Sequence, residues 1–134
     1  MAKLLGKTVR YSSSDVALNT AVEFVVLESV PLAVRSPTCV VHLRAWGQFT
    51  VGANTTAAVA RFYRGNEGAS QLIGEAVSAP LAAAAGGIET MALEMTEERV
   101  NAGALEYYVS LQQVGATAAG SFLQGAFEVA MLSG

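Results

Sequence analysis

Charge is scarce in this sequence. Only 14% of its 134 residues are charged, against about 25% in ordinary soluble domains. That is too little to cover a monomer's surface, so part of the surface is expected to meet another subunit. Cysteine occurs once, at Cys39, so no intrachain disulfide can form and a cysteine zinc site has no partners. Histidine also occurs once, at His42. A lone imidazole without a base, nucleophile or metal beside it performs no catalysis, so His42 reads as a structural or interface residue. No phosphate-binding G-x-x-x-x-G-K-[ST] run, G-x-S-x-G elbow or H-E-x-x-H pair is present. No cofactor, metal or catalytic residue is therefore expected, and the protein reads as a non-enzyme. The carboxylates Glu89, Glu94, Glu97 and Glu98 cluster beside Arg99, but their spacing fits neither a calcium loop nor a glycosidase pair, and a solvated charged loop is expected there. There is no apolar run of about 18 residues and no signal-peptide core, which argues against a membrane partner and for synthesis and retention in the cytoplasm of the producing cell. A formal net charge of −3 argues against nucleic acid as a partner, since a duplex-binding protein needs a basic stripe.

What the sequence has is alternation. Residues 39–65 carry two period-two runs flanking Gly52-Ala53-Asn54, the pattern of a β-hairpin. Along its first arm Val41, Leu43, Ala45, Gly47, Phe49 and Val51 share one face, while Val40, His42, Arg44, Trp46, Gln48 and Thr50 share the other. Residues 21–27 form a further strand, followed by an irregular bend between Pro31 and Pro37. Residues 70–77 read as a short strand with a bulge at Gly74, and residues 80–87 as a small-residue loop. In residues 88–95 strand and helix periods compete. Sheet context and the flanking Gly86-Gly87, Thr96 and Asn101-Ala102-Gly103 favour a strand. Leu105, Tyr107, Val109 and Leu111 define one strand face, and Leu123, Gly125, Phe127, Val129 and Met131 define another after a turn at residues 115–120.

These segments give about eight strands at short spacing. The fold class is all-β, an antiparallel two-sheet β-sandwich that is jelly-roll-like. Residues 1–21 form an N-terminal arm or first strand, with a short strand near residues 8–11, and residues 22–134 the sandwich, a single domain overall. Lys3, Lys7 and Arg10 read as a basic arm able to lie on an acidic neighbouring protein. Arg44, Arg61 and Arg64 accompany aromatic residues such as Trp46 on the hairpin arms, a composition that protein interfaces favour, and mark a docking patch.

The run V-V-H-L-R-A-W-G-Q-F-T-V-G-A-N-T-T-A-A-V-A-R-F-Y-R-G and the later Y-Y-V-S-L-Q-Q-V-G-A-T-A-A-G-S-F-L-Q-G-A-F-E-V resemble small virion proteins of tailed bacteriophages. These are jelly-roll, tumour-necrosis-factor-like modules that serve as capsid decoration (cement) proteins and as heads of capsid or tail fibres. The likeness covers residues 38–132 and rests on the G-A-N-T-T-A turn, the R-G strand end and a Q-Q-x-G-A-T-A-x-G-S final hairpin. It implies a homotrimer seated on the major capsid protein of a phage, found in the virion and assembled in the host cytoplasm. Within that reading residues 105–129, Tyr107 among them, supply inner-sheet or subunit contacts. The alternatives are a tail or fibre component, or a carbohydrate- or receptor-binding β-sandwich using Trp46 and the tyrosines. A hydrolase is disfavoured, because its acid, base and nucleophile cannot be assembled from these residues.

Overall fold

The alternating segments become strands, and the pairing between them closes two sheets face to face. The computed structural model describes residues 4–12, 16–18, 22–29, 32–66, 69–78 and 84–133. Among these the strands are β1 (Leu4–Ser12), β2 (Val16–Leu18), β3 (Phe24–Glu28), β4 (Leu32–Thr50), β5 (Ala57–Asn66), β6 (Ala69–Ser78), β7 (Ile88–Leu105), β8 (Tyr107–Val114) and β9 (Gly120–Ser133). A five-stranded sheet runs β1-β9-β4-β7 with β2 also on β9, and a four-stranded sheet runs β3-β8-β5-β6. All pairings are antiparallel. From β3 onward the chain passes between the sheets at almost every connection and stays in one sheet only for the β5–β6 hairpin. That winding is a jelly roll.

The period-two faces expected for β4 and β8 are the faces observed, but two expected hairpins are not hairpins. β4 pairs with β7 and β9, whereas β5 pairs with β6 and β8. The turn at residues 52–54 therefore carries the chain from one sheet to the other, and the turn at residues 115–119 does the same between β8 and β9. Alternation fixes which side chains point inward and is silent on which strand lies alongside. Here Val41, Leu43 and Phe49 meet Ala58, Ala60 and Phe62 across the interior, which buries apolar surface from both sheets at once.

Three local expectations are also corrected. The bend between Pro31 and Pro37 is strand from Leu32 on, interrupted by a bulge. Val34 pairs with Gly103 and Thr38 with Asn101, so three residues including Pro37 stand opposite one. Proline has no N–H to give the ladder and is accommodated at such a bulge. Residues 88–95 are strand, as expected, but the strand continues through Thr96 and residues 101–103 to Leu105, held by β4 along its length. The glutamate cluster accordingly lies on a strand and not in a charged loop. In β9 the register slips between Gln48/Phe49 and their partners Gln124 and Phe122, so Phe122 takes the inward place expected of Leu123. The bulge expected at Gly74 is present, since Phe62 pairs with Gly74 and Tyr63 with Leu72.

The core is aromatic at its centre. Phe49, Phe62, Phe122 and Phe127 are fully buried, and Phe62 of one sheet stacks on Phe127 of the other with centroids 5.6 Å apart. One end of the sandwich is sealed by Gln113, which is 1% exposed. Its Oε1 accepts from Gly52 N at 2.8 Å and from Thr55 Oγ1 at 2.9 Å, and its Nε2 donates to Thr50 O at 2.9 Å. Thr117 N donates to Ala53 O at 2.8 Å, so the two crossing turns lie against each other. Their contact requires glycine: a Cβ on Gly52 would sit 1.9 Å from Ala118 O, and one on Gly120 2.0 Å from Thr50 O. Two of the three motifs on which the phage resemblance rests, the G-A-N-T-T-A turn and the Q-Q-x-G-A-T-A-x-G-S segment, are thus neighbours in space.

Candidate interaction surface

The outer face of the five-stranded sheet is built row by row from the strand register. β4 presents His42, Arg44 and Trp46 outward, because its alternate residues 41, 43 and 45 are buried. Tyr11, Ala126, Trp46 and Ala92 are successive cross-strand partners on β1, β9, β4 and β7. The next row reads Val9, Glu128, Arg44 and Glu94, and the one after it Lys7, Ala130, His42 and Thr96. Cross-strand partners on one face are about 5 Å apart, so each row is a line of touching side chains.

In the first row large and small residues alternate, and the result is a trough. Tyr11 is 75% exposed and Trp46 45%. A groove of about 410 Å³ is lined by Val9, Tyr11, Arg44, Trp46, Glu94 and Glu128, with Ala92 and Ala126 among its lining. Lys7 Nζ lies 3.4 Å from Glu128 Oε2. His42 Nε2 lies 2.7 Å from Glu94 Oε1, and Arg44 Nε approaches Glu94 Oε2 at 3.8 Å. The arrangement combines exposed aromatic side chains with charge-balanced donors and acceptors. Among the described residues no three of His, Cys, Asp and Glu converge as metal ligands would.

The outer face of the four-stranded sheet is different in kind. Arg61 is centred in a polar network there: it donates to Glu23 Oε2 at 3.2 Å, to Glu75 Oε2 at 3.1 Å and to Gln112 Oε1 at 2.8 Å. Ser110 Oγ donates to Glu23 Oε1 at 2.6 Å. Tyr63 stacks on Tyr108 at 4.8 Å. Burial first, and then its hydrogen bond to Glu23, push the Tyr63 phenol up to about 12. Exposed Val77 and Leu72 flank the Arg61–Glu75 pair in the rows on either side.

A third cluster closes the sandwich at the end away from Gln113. Arg64 is in phase with buried Phe62 and reaches across to Glu97 of β7, forming an ion pair, while Arg64 Nη2 donates to Gln71 Oε1 at 2.7 Å. Tyr107, 1% exposed, donates its hydroxyl to Glu97 Oε2 at 2.9 Å. Burial and the adjacent Glu97 carboxylate hold the Tyr107 phenol well above the usual tyrosine range. The same two causes raise the thiol of Cys39, which is fully buried, so it is a packed side chain and not a nucleophile.

The residues singled out from sequence therefore divide. Arg44 and Trp46 share the groove with Lys7 close by. Arg61 lies on the opposite outer face, and Arg64 and Tyr107 belong to the interior cluster, so the three arginines do not form one patch. The expectation failed because it assumed β4 and β5 to be paired. Tyr107 points into the sandwich, where it packs within the chain. Arg10 is exposed on β1 in register with inward Phe127, on the face opposite Lys7. Lys3 lies outside the described residues. Sequence reasoning missed Val9, Tyr11 and Glu128, and read Glu94 as part of a solvated charged loop where it stands on β7. The alternation of Val9 and Tyr11 with Thr8 and Arg10 marks them as one face, but their neighbours come from β9, more than a hundred residues away.

With the topology in place, comparison with solved structures is informative. The chain shares its fold with a viral particle protein. It is similar to the infectious bursal disease virus VP2 subviral particle, with a TM-score of 0.59 and 10% identity over 95% of this chain and 33% of that one. The structure of the virus's Gx strain matches with a TM-score of 0.56 and 10% identity over 95% of this chain and 32% of that one. A mutant VP2 in derived T=1 particles matches with a TM-score of 0.56 and 9% identity over 96% and 36%. The chain thus spans about a third of the length of these three structures. At this identity the likeness is one of fold. No family model and no curated protein matches the sequence.

Proposed function

We propose that this protein is a virion structural protein, and specifically a bacteriophage capsid decoration protein that trimerises and stabilises the capsid lattice. The observation that carries the reading is the complete jelly-roll winding, 5-stranded sheet against 4-stranded sheet, shared with a viral protein that forms particles. The scarcity of charge supports it, since only 14% of residues are charged and large apolar side chains are left exposed on both outer faces. The face carrying Leu72 and Val77 around Arg61 is the trimer contact in this reading. Lys3, Lys7 and Arg10 seat the trimer on an acidic capsid surface that runs along the edge of the five-stranded sheet, where Lys7 and Arg10 project from opposite faces of edge strand β1. Such a protein acts by binding the assembled shell and not its free subunits, so each copy shifts the equilibrium toward assembly, and three linked copies act with avidity. No chemistry is required of it.

The test is the mass of the purified 13.9 kDa chain by light scattering at low micromolar concentration, followed by cosedimentation with phage capsids. A trimer that cosediments and raises the temperature of capsid disruption is expected. A stable monomer refutes trimerisation, and a trimer that ignores capsids moves the protein to a tail or fibre. The seating role is tested with Lys7→Glu and Arg10→Glu, not by truncation, because deleting residues 1–10 would remove most of β1. Unchanged capsid affinity in that pair would refute it.

A further inference from the structure

We infer that the groove between Tyr11 and Trp46 is a binding site for a neutral oligosaccharide. This goes beyond a role in the virion shell and does not depend on it. Four observations converge. First, the row Tyr11, Ala126, Trp46, Ala92 alternates large and small, so two exposed aromatic side chains stand on either side of a methyl floor. A pyranose presents flat C–H faces that pack on indole and phenol rings, and such rings lose little side-chain freedom on binding. Second, the adjacent row Val9, Glu128, Arg44, Glu94 supplies acceptor oxygens and guanidinium donors along the same groove. Sugar hydroxyls both donate and accept, and charged partners form the stronger hydrogen bonds. Third, the charges balance locally. Glu128 has Lys7 at 3.4 Å, and Glu94 has His42 at 2.7 Å and Arg44 at 3.8 Å. A groove with paired charges suits an uncharged polyol and disfavours a sialylated or sulfated chain. Fourth, the groove measures about 410 Å³, within the range of about 300–1,000 Å³ usual for small-ligand sites.

The geometry also argues against a second copy of this chain as the occupant. Interfaces between folded proteins pack as densely as interiors. A β face laid across the ridges made by Tyr11 and Trp46 would have to insert a side chain of its own to fill the trough between them. A narrow, jointed chain of rings fills it. The groove is preformed, because all of the side chains named project from hydrogen-bonded strands of one sheet.

Trp46 is the protein's only tryptophan, so emission excited selectively at tryptophan reports on this groove alone. The full chain would be titrated with maltotriose, cellotriose, chitotriose, mannotriose and, as the acidic comparison, sialyllactose. At least one neutral trisaccharide is expected to change Trp46 emission saturably. Tyr11→Ala and Arg44→Ala should each weaken that binding by about tenfold or more, with the far-ultraviolet circular dichroism unchanged, as exposed side chains allow. Val22→Ala, an exposed position just ahead of β3 of the other sheet, should leave it intact. Trp46→Ala, read by calorimetry, should abolish it. The inference is overturned if none of the neutral sugars alters emission up to about 10 mM. It is overturned too if sialyllactose alone binds, or if binding survives both Trp46→Ala and Tyr11→Ala. Emission that shifts with protein concentration, together with a rise in mass and no response to sugar, would show the groove to be a contact between copies and would likewise overturn it.

Discussion

Replacing Gln113 with leucine isolates the junction that turns two sheets into one closed sandwich. The side chain is 1% exposed and bridges both crossing connections through Gly52 N, Thr55 Oγ1 and Thr50 O, at 2.8, 2.9 and 2.9 Å. Leucine has a similar size, so the change deletes hydrogen bonding while leaving volume nearly constant. Thr55 is not stranded, because its hydroxyl also reaches Gly52 O at 2.7 Å. The buried Gly52 amide and the Thr50 carbonyl lose Gln113, and each buried group left without a partner costs about 1–3 kcal/mol. The expected loss is therefore about 2–6 kcal/mol, a large part of the roughly 5–15 kcal/mol available to a domain. Urea unfolding should show a lower midpoint at unchanged m. The surface pair Gln124–Gln48, at 2.8 Å, is the control: Gln124→Leu should cost under about 0.5 kcal/mol. A Gln113→Leu loss below about 1 kcal/mol would refute the claim that this side chain seals the end.

Other expectations probe both ends and the outer face of the four-stranded sheet. Gly120→Ala should be among the most destabilising methyl additions in the chain, since its Cβ would lie 2.0 Å from Thr50 O and 2.4 Å from Gln113 Nε2; thermal unfolding of soluble protein would measure it, and a neutral result would contradict the packing. Arg64→Met should cost about 2–4 kcal/mol by leaving the Glu97 carboxylate without its guanidinium, and the double variant Arg64→Met, Glu97→Met should lose less than the two singles combined. Additivity in that double-mutant cycle would show the pair to be uncoupled. Tyr63 makes alkaline pH destabilising: its phenol is held up to about 12 in the fold against 10.0 in a free chain, so the folded state retains a proton that the unfolded state releases. The contribution is full below pH 10, falls as pH rises toward 12, and should disappear from the stability profile of Tyr63→Phe.

Strand existence and facing were legible because each depends on residues close in sequence. The buried set Val41, Leu43, Ala45 and Phe49 and the outward set His42, Arg44 and Trp46 follow from alternation alone. Partnership was not legible, since whether β5 lies beside β4 or across from it leaves the same residues pointing inward. The two turns carry the missing information in their glycines. Gly52 and Gly120 are needed only where two crossing turns touch, and a simple hairpin gives Gly120 no reason to avoid a side chain. Glu97 was misread for a related reason. A glutamate among glutamates looks solvated until the strand register sets it against Arg64 and Tyr107 from two other strands.

The same reasoning explains why half of the groove was visible and half was not. Trp46 and Arg44 stand on one strand, two residues apart, and alternation was enough to put them on a common outward face. Tyr11 and Glu128 become their neighbours only because β9 lies between β1 and β4, with Ala126 pairing to both Tyr11 and Trp46. That inner position of β9 follows from the jelly-roll winding, which returns the end of the described chain between its first strand and its fourth. A hairpin-by-hairpin fold from the same sequence would have left Tyr11 and Trp46 on separate strands with nothing to align them. The groove is thus a product of topology as much as of composition. Breaking the register between β1 and β9 should abolish the site before it unfolds the core, because Tyr11 and Val9 are exposed while Phe62 and Phe127 pack without them.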